Sequence, residues 1–186
     1  MKKFLISASG ILMAILVFFN CTSGQKSHST PQKIIIIRHA EKPDKGDNLS
    51  CEGLNRSLQL AEVLYKKFGV PNTIFVPSLD MGRSTNGARM YQTIVPFAVK
   101  YNLKISTKYE GDDVKDIANA LEKQTGTVLL VWEHKAISKI VKALGVSNAD
   151  KWDDNDYDSI WIITYKNGSP VLTKDKEGIH PSSGCP

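Results

Sequence analysis

Apolar residues recur along this chain as unbroken runs, as helical stripes and as short alternations, and each pattern predicts an element. The run Lys33-Ile34-Ile35-Ile36-Ile37 is continuous and β-branched, the pattern of a central parallel strand buried on both faces. It carries Arg38 and His39 at its C-terminal end. Beyond a polar loop, Ser50 is placed to cap a helix whose apolar residues Leu54, Leu58, Ala61, Leu64 and Phe68 return at helical spacing, with Gly69 as its stop. A strand is expected at residues 73–76, a loop at residues 80–87, and a helix at residues 88–100 disturbed at Pro96.

The second half repeats the alternation. A short strand is expected at residues 104–106, followed by a helix to Lys123 capped by Asp112 or Asp113. Residues 127–131 form another fully apolar strand ending at Trp132-Glu133-His134, with a helix at residues 136–144 stopped by Gly145. Residues 159–165 and 170–173, joined through Asn167-Gly168, read as an edge hairpin. Strands alternating with helices imply a three-layer α/β fold, a mostly parallel sheet with helices on both faces and an antiparallel edge hairpin. The sequence contains no internal repeat.

The N-terminus departs from this pattern. Lys2 and Lys3 precede an almost unbroken apolar stretch, residues 4–19, which is shorter than a spanning helix and contains Ser7, Ser9 and Gly10. Residues 1–20 therefore read as an export signal. Cys21 follows where bacterial lipoproteins carry their lipidated cysteine, although Phe18-Phe19-Asn20 is a poor match to the small-residue motif that usually precedes it. The sequence thus predicts an exported protein held on the periplasmic or cell-surface side of a membrane through Cys21. Residues 21–32 are polar, a flexible tether too poor in apolar groups to form a core, and the folded domain spans residues 33–186.

Composition adds limits. The chain has 186 residues, 41% hydrophobic and 23% charged, sufficient for one sizeable domain. Loss of Lys2 and Lys3 with the signal lowers the formal charge from +5 to +3. The remaining basic residues are scattered rather than gathered in a stripe, so no nucleic-acid partner is expected. Once Cys21 is set aside, Cys51 and Cys185 remain, either as a disulfide in an oxidising compartment or as two thiols.

In an open α/β sheet ligands sit beyond the carboxyl ends of the strands, and here two strands each bring a histidine to that edge. Arg38 precedes one of them, and a guanidinium offers a planar donor fork suited to phosphate oxygens. Ile37-Arg38-His39-Ala40-Glu41 resembles the Arg-His-Gly-Glu motif of the histidine phosphatase, or phosphoglycerate mutase-like, superfamily. Leu49-Ser50-Cys51-Glu52-Gly53-Leu54-Asn55-Arg56 resembles its Leu-Thr-x-x-Gly-x-x-Arg, and Arg89-Met90-Tyr91-Gln92-Thr93 its Arg-Ala-x-Gln-Thr. Residues 128–134 resemble the strand with its second histidine, so the likeness runs in order through most of residues 33–165.

The resemblance implies a phosphomonoesterase for small phosphorylated substrates. His39 would be the nucleophile, and Arg38, Arg89 and His134 would bind the phosphoryl oxygens, with no metal or other cofactor needed. Taken without the family, Arg89 reads equally well as a solvated helix residue. A general acid cannot be carried over by position. Glu133 is the first candidate, although strand alternation would turn it away from His134. Glu110, Asp112 and Asp113 are others, each also suited to capping or solvation. Ala40 replaces the usual glycine, and the polar residues 80–87 lengthen the segment before Arg89. Export argues against a mutase of cytosolic metabolism. Two other readings compete: an anion-binding lipoprotein with little turnover, and a metal site on His39, Glu41 and His134, which the adjacent guanidinium disfavours.

Overall fold

A computed structural model of the chain describes Pro31 and residues 33–79 and 87–186. The expected signal, Cys21 and most of the tether, together with residues 80–86, lie outside these residues; Pro31 is buried. In chain order the elements are β1 (Lys33–Arg38), α1 (Cys51–Phe68), β2 (Thr73–Pro77), α2 (Ala88–Tyr101), β3 (Ile105–Tyr109), α3 (Val114–Glu122), β4 (Thr127–Trp132), α4 (His134–Ala143), β5 (Ser159–Lys166) and β6 (Ser169–Lys176).

The strands form one sheet in the order β3-β2-β4-β1-β5-β6. β3, β2, β4 and β1 run parallel, while β5 lies antiparallel to both β1 and β6. The isoleucine run is buried on both faces because successive side chains point to opposite sides. Ile34 and Ile36 meet Ile117, Ile137 and Ile140 of α3 and α4, whereas Ile35 and Ile37 meet Leu60, Leu64, Ile94 and Phe97 of α1 and α2. Each fully buried isoleucine stabilises the fold by about 1.5–3 kcal/mol. The three-layer α/β architecture is the one that the alternation of elements implies.

Several local expectations change. Helix α1 is capped by Ser50, whose hydroxyl accepts from the Gly53 N–H at 3.1 Å. Its buried face, however, comprises Gly53, Arg56, Ser57, Leu60, Ala61 and Leu64, while Leu54 and Leu58 are 40% and 50% exposed. The helix is rotated because its first turn rests on the Glu41 backbone, where a Cβ on Gly53 would collide, and because Arg56 is drawn inward by carboxylates. Helix α2 runs through Pro96 without a break. Asp113 stands at the start of α3, but its carboxylate accepts from the Glu110 N–H at 3.1 Å rather than capping the helix. Strand β3 extends to Tyr109. Helix α4 begins at His134, two residues earlier than its apolar pattern suggests. Cys51 and Cys185 are joined in a disulfide that ties the C-terminal tail to the start of α1.

Candidate active site

Neighbouring parallel strands bring the two histidines together. β1 and β4 pair in register, Arg38 opposite Trp132, and the pairing continues one residue further as the His39 N–H donates to the Trp132 carbonyl at 3.2 Å. The residues that follow on each chain, His39 on one and Glu133-His134 on the other, therefore emerge side by side at the carboxyl edge of the sheet, as expected of ligand sites in such folds. Both imidazoles line one cavity of about 460 Å³, together with Arg89, Glu110, Glu133, Lys42 and Lys135.

His39 is only 2% exposed. Its Nδ1 lies 2.7 Å from the Ala40 carbonyl oxygen. A carbonyl can only accept, so Nδ1 carries the proton and Nε2 keeps the lone pair. Burial pushes the imidazole pKa down to about 4; the Ala40 carbonyl opposes this, while Arg38, Arg89 and His134 reinforce it. The ring is thus neutral at physiological pH, with a free nucleophilic nitrogen. The turn after it is fixed by the Ala40 N–H, which donates to the Thr93 hydroxyl at 2.9 Å.

Arg38 is also 2% exposed. Its guanidinium donates to the carbonyls of Asp154 at 2.6 Å and Asp156 at 3.4 Å and to the Tyr157 hydroxyl at 3.3 Å. The Tyr157 ring stacks beneath it with the guanidinium carbon 3.9 Å from the centroid, and meets His39 edge-on at 5.9 Å. The Nε of Arg38 remains buried without a partner. Arg89 is not a freely solvated arginine: it donates to the carbonyls of Gly46 at 2.6 Å and Asn48 at 3.4 Å, and it lines the cavity. Gln92, one turn on, accepts from the Leu49 N–H and donates to the Asn48 side chain, holding the same loop.

His134 is 8% exposed, with Nε2 3.2 Å from the Asp154 carboxylate. Burial first, and Arg38 next, draw its pKa below the ordinary histidine value. Glu133 lines the same cavity as His134, contrary to the alternation argument. The strand ends at Trp132 and Glu133 occupies the N-cap position of α4, where the chain turns and the two-residue period no longer applies. Of the other carboxyl candidates, Glu110 lines the cavity; Asp112 and Asp113 do not.

Glu41 belongs to a different structure. Both of its oxygens accept from Arg56 Nε, at 2.8 and 3.0 Å, and Arg56 also donates to Glu177 at 2.7 Å. Arg56 is 5% exposed and Glu177 equally so. Burial pushes the Glu177 carboxyl up to about 8 even beside Arg56, because one guanidinium serves two carboxylates there. This network anchors the turn after His39. It also removes Glu41 from the proposed metal set with His39 and His134. Sequence reading gave no role to Tyr157 or Asp154, since the segment before β5 carries no apolar period; Thr93 closes the second arginine motif, but its bond to the Ala40 N–H has no local signal. Trp132 and Trp161 are core residues, 0% and 3% exposed.

A second cavity of about 520 Å³ lies against the disulfide, lined by Leu49, Leu54, Tyr91, Val95 and Pro96. No charged side chain lines it, so it is not suited to a phosphoryl group.

No protein-family model matches the sequence, and no curated protein is similar to it in sequence. Solved structures are similar in fold. The protein histidine phosphatase SixA complexed with tungstate is 14% identical, with a TM-score of 0.56, over 78% of this chain and 97% of that one. A phosphoserine phosphatase variant from Entamoeba histolytica in complex with phosphoserine is 16% identical, with a TM-score of 0.54, over 78% and 96%. Phosphoglycerate mutase from Bacillus anthracis is 15% identical, with a TM-score of 0.52, over 80% and 94%. The chain therefore shares its fold with these phosphatases and this mutase.

Proposed function

We propose that the protein is a phosphomonoesterase acting on small phosphorylated molecules through a phosphohistidine on His39. The observation that carries this reading is the state of His39: a neutral buried imidazole, with Nδ1 held by a carbonyl and Nε2 unprotonated, in one cavity with Arg89, His134 and two glutamates. In the first step Nε2 attacks phosphorus, a P–N bond forms, and the P–O bond to the leaving group breaks as a carboxyl group gives that oxygen its proton. In the second step the same group, now a carboxylate, takes a proton from water; the water oxygen bonds to phosphorus, and the P–N bond breaks to restore His39. Arg38, Arg89 and His134 bind the three oxygens on which charge accumulates. Glu133 and Glu110 are the two carboxyl groups suitably placed to act as the acid.

The cavity volume suits a small substrate rather than a folded protein surface. SixA, the phosphoserine phosphatase and the mutase named above act on phosphorylated groups, as their names state, which favours the same class here. The alternative of an anion-binding protein with little turnover drew its motive from a missing acid, and two carboxyls lining the cavity remove that motive. Export and a lipid anchor on Cys21 belong to the same proposal; the Cys51–Cys185 disulfide fits an oxidising compartment. Replacing His39 by Ala is expected to abolish hydrolysis of an aryl phosphate, and retained activity would refute the assignment. Cys21→Ser is expected to move the protein into the soluble fraction, whereas unchanged membrane retention would refute the anchor.

A further inference from the structure

The segment between α4 and β5 has no catalytic motif, yet it is firmly built. Trp152 is 1% exposed and packs against Trp161, its backbone N–H donates to the Ser138 hydroxyl at 3.1 Å, and its indole N–H to the Asp156 carbonyl at 2.8 Å. The Asp156 carboxylate in turn accepts from the N–H groups of Asp158 and Ser159 and from the Ser159 hydroxyl. Between these anchors lies Asp154, which touches two of the proposed phosphoryl-binding groups at once. Its carbonyl accepts from Arg38 at 2.6 Å, and its carboxylate lies 3.2 Å from His134 Nε2.

We propose that Asp154 is a positioning residue: its carboxylate fixes His134 as the Nε2–H tautomer and supports the charged imidazolium that forms when a phosphoryl dianion enters the cavity. The catalytic consequence rests on the phosphatase reading above; the tautomer assignment does not.

An ionised carboxylate 3.2 Å from Nε2 attracts a proton to that nitrogen, which leaves the lone pair of the neutral ring on Nδ1. That Nδ1 is buried without a hydrogen-bond partner, as is Arg38 Nε. The nearest acidic oxygen, on Glu133, is 3.9 Å away, beyond hydrogen-bond range. A buried polar atom left unpaired costs about 1–3 kcal/mol, and His134, which carries one, lines the cavity beside His39, so a ligand bound there is placed to satisfy it. A phosphoryl dianion does so once His134 takes a proton from solvent and Nδ1–H donates to an oxygen. The surroundings of His134 set the balance. Arg38, Lys135 and the buried setting oppose its charge, while Glu133 and Asp154 favour it. The arriving dianion tips the sum, and Asp154 holds the far side of the ring. Because the Asp154 side chain is 60% exposed, solvent weakens its effect, so the expected loss is at the lower end for such residues, about tenfold.

The test uses imidazole ¹⁵N shifts of the full chain, with and without inorganic phosphate, alongside kcat/KM from pH 5.5 to 8.5. In the wild type, free His134 is expected as the Nε2–H tautomer, becoming doubly protonated when phosphate is added. Asp154→Ala should mix the tautomers. Asp154→Asn, whose amide oxygen keeps only a partial negative charge beside Nε2, should favour Nε2–H more weakly, while both variants should lower the pH at which phosphate-bound His134 gives up its proton. For Asp154→Ala the loss in kcat/KM should reach about tenfold at the alkaline end and shrink as the pH falls; a residue of merely structural importance would give a loss independent of pH. An unchanged tautomer and unchanged His134 titration in Asp154→Ala would overturn the proposal. If instead the wild type hydrolyses no phosphomonoester, the phosphatase reading fails, while the shifts still decide the role of Asp154.

Discussion

Acidification from about pH 7.5 to about pH 4 should weaken the fold through His39 by about 3 kcal/mol, and the structure supplies both the sign and the size. The ring is buried among Arg38, Arg89 and His134, and its pKa falls from 6.5 to about 4. Between those values the unfolded chain binds a proton that the folded protein refuses. The stability contributed by a neutral His39 is therefore fully present above the unfolded value of 6.5 and is lost as the pH falls through about 4. Linkage gives a loss of about 2 kcal/mol by pH 5 and about 3 kcal/mol by pH 4. Glu177 acts in the opposite direction. Its raised pKa, about 8, gives stability that is present below its unfolded value of 4.5 and is lost as the pH rises through about 8. Total stability against pH therefore mixes the two, and the His39 part must be isolated by difference. Urea unfolding of the wild type and His39→Gln across this range serves that purpose, because the variant lacks the titrating ring and retains Glu177. The gap between the two curves should be constant above about pH 7 and change by about 3 kcal/mol towards pH 4, with the wild type losing more. Parallel curves, or an NMR titration of His39 centred near its ordinary value, would refute the argument that burial and neighbouring cations keep the nucleophile neutral.

Other consequences are equally direct. Arg56→Met leaves the largely buried Glu41 without its counter-charge and Glu177 without its donor, and should cost about 3–5 kcal/mol in urea unfolding; adding Glu41→Gln should recover part of that loss, and no recovery would contradict the shared-guanidinium account. Glu133→Gln and Glu110→Gln should separate the two acid candidates. The true acid should lose about 10²-fold or more on alkyl phosphates and far less on aryl phosphates with good leaving groups, while the other variant should lose equally on both. If both variants lose equally on both substrates, neither residue is the acid.

Most of the framework was legible because buried parallel strands announce themselves. The runs at β1 and β4 are apolar without interruption, and the register between them follows from adjacency in the sheet, so two histidines at their ends had to converge. The edge strand β3 was only partly legible, since it is half-buried and polar residues interrupt its pattern. The face of α1 was misjudged for a physical reason: Leu54 and Leu58 satisfy helical spacing, but Gly53 must approach the Glu41 backbone and Arg56 must reach two carboxylates, and these needs turn the helix. The alternation argument against Glu133, the first acid candidate, fails because it carries a strand period one residue beyond the strand. The clamp made by Asp154 and Tyr157 had no trace in local pattern. Its partners Arg38 and His39 lie more than a hundred residues away, and one contact is made through a backbone carbonyl that any residue possesses.

The central claim is that a phosphoryl group passes through His39 Nε2. Millisecond mixing with a ³²P-labelled aryl phosphate, quenching in alkali and peptide mapping by mass spectrometry test it most directly. The account predicts a base-stable, acid-labile adduct on His39, absent from His39→Ala. Rapid turnover with no such adduct, or with the label on another residue, would contradict it.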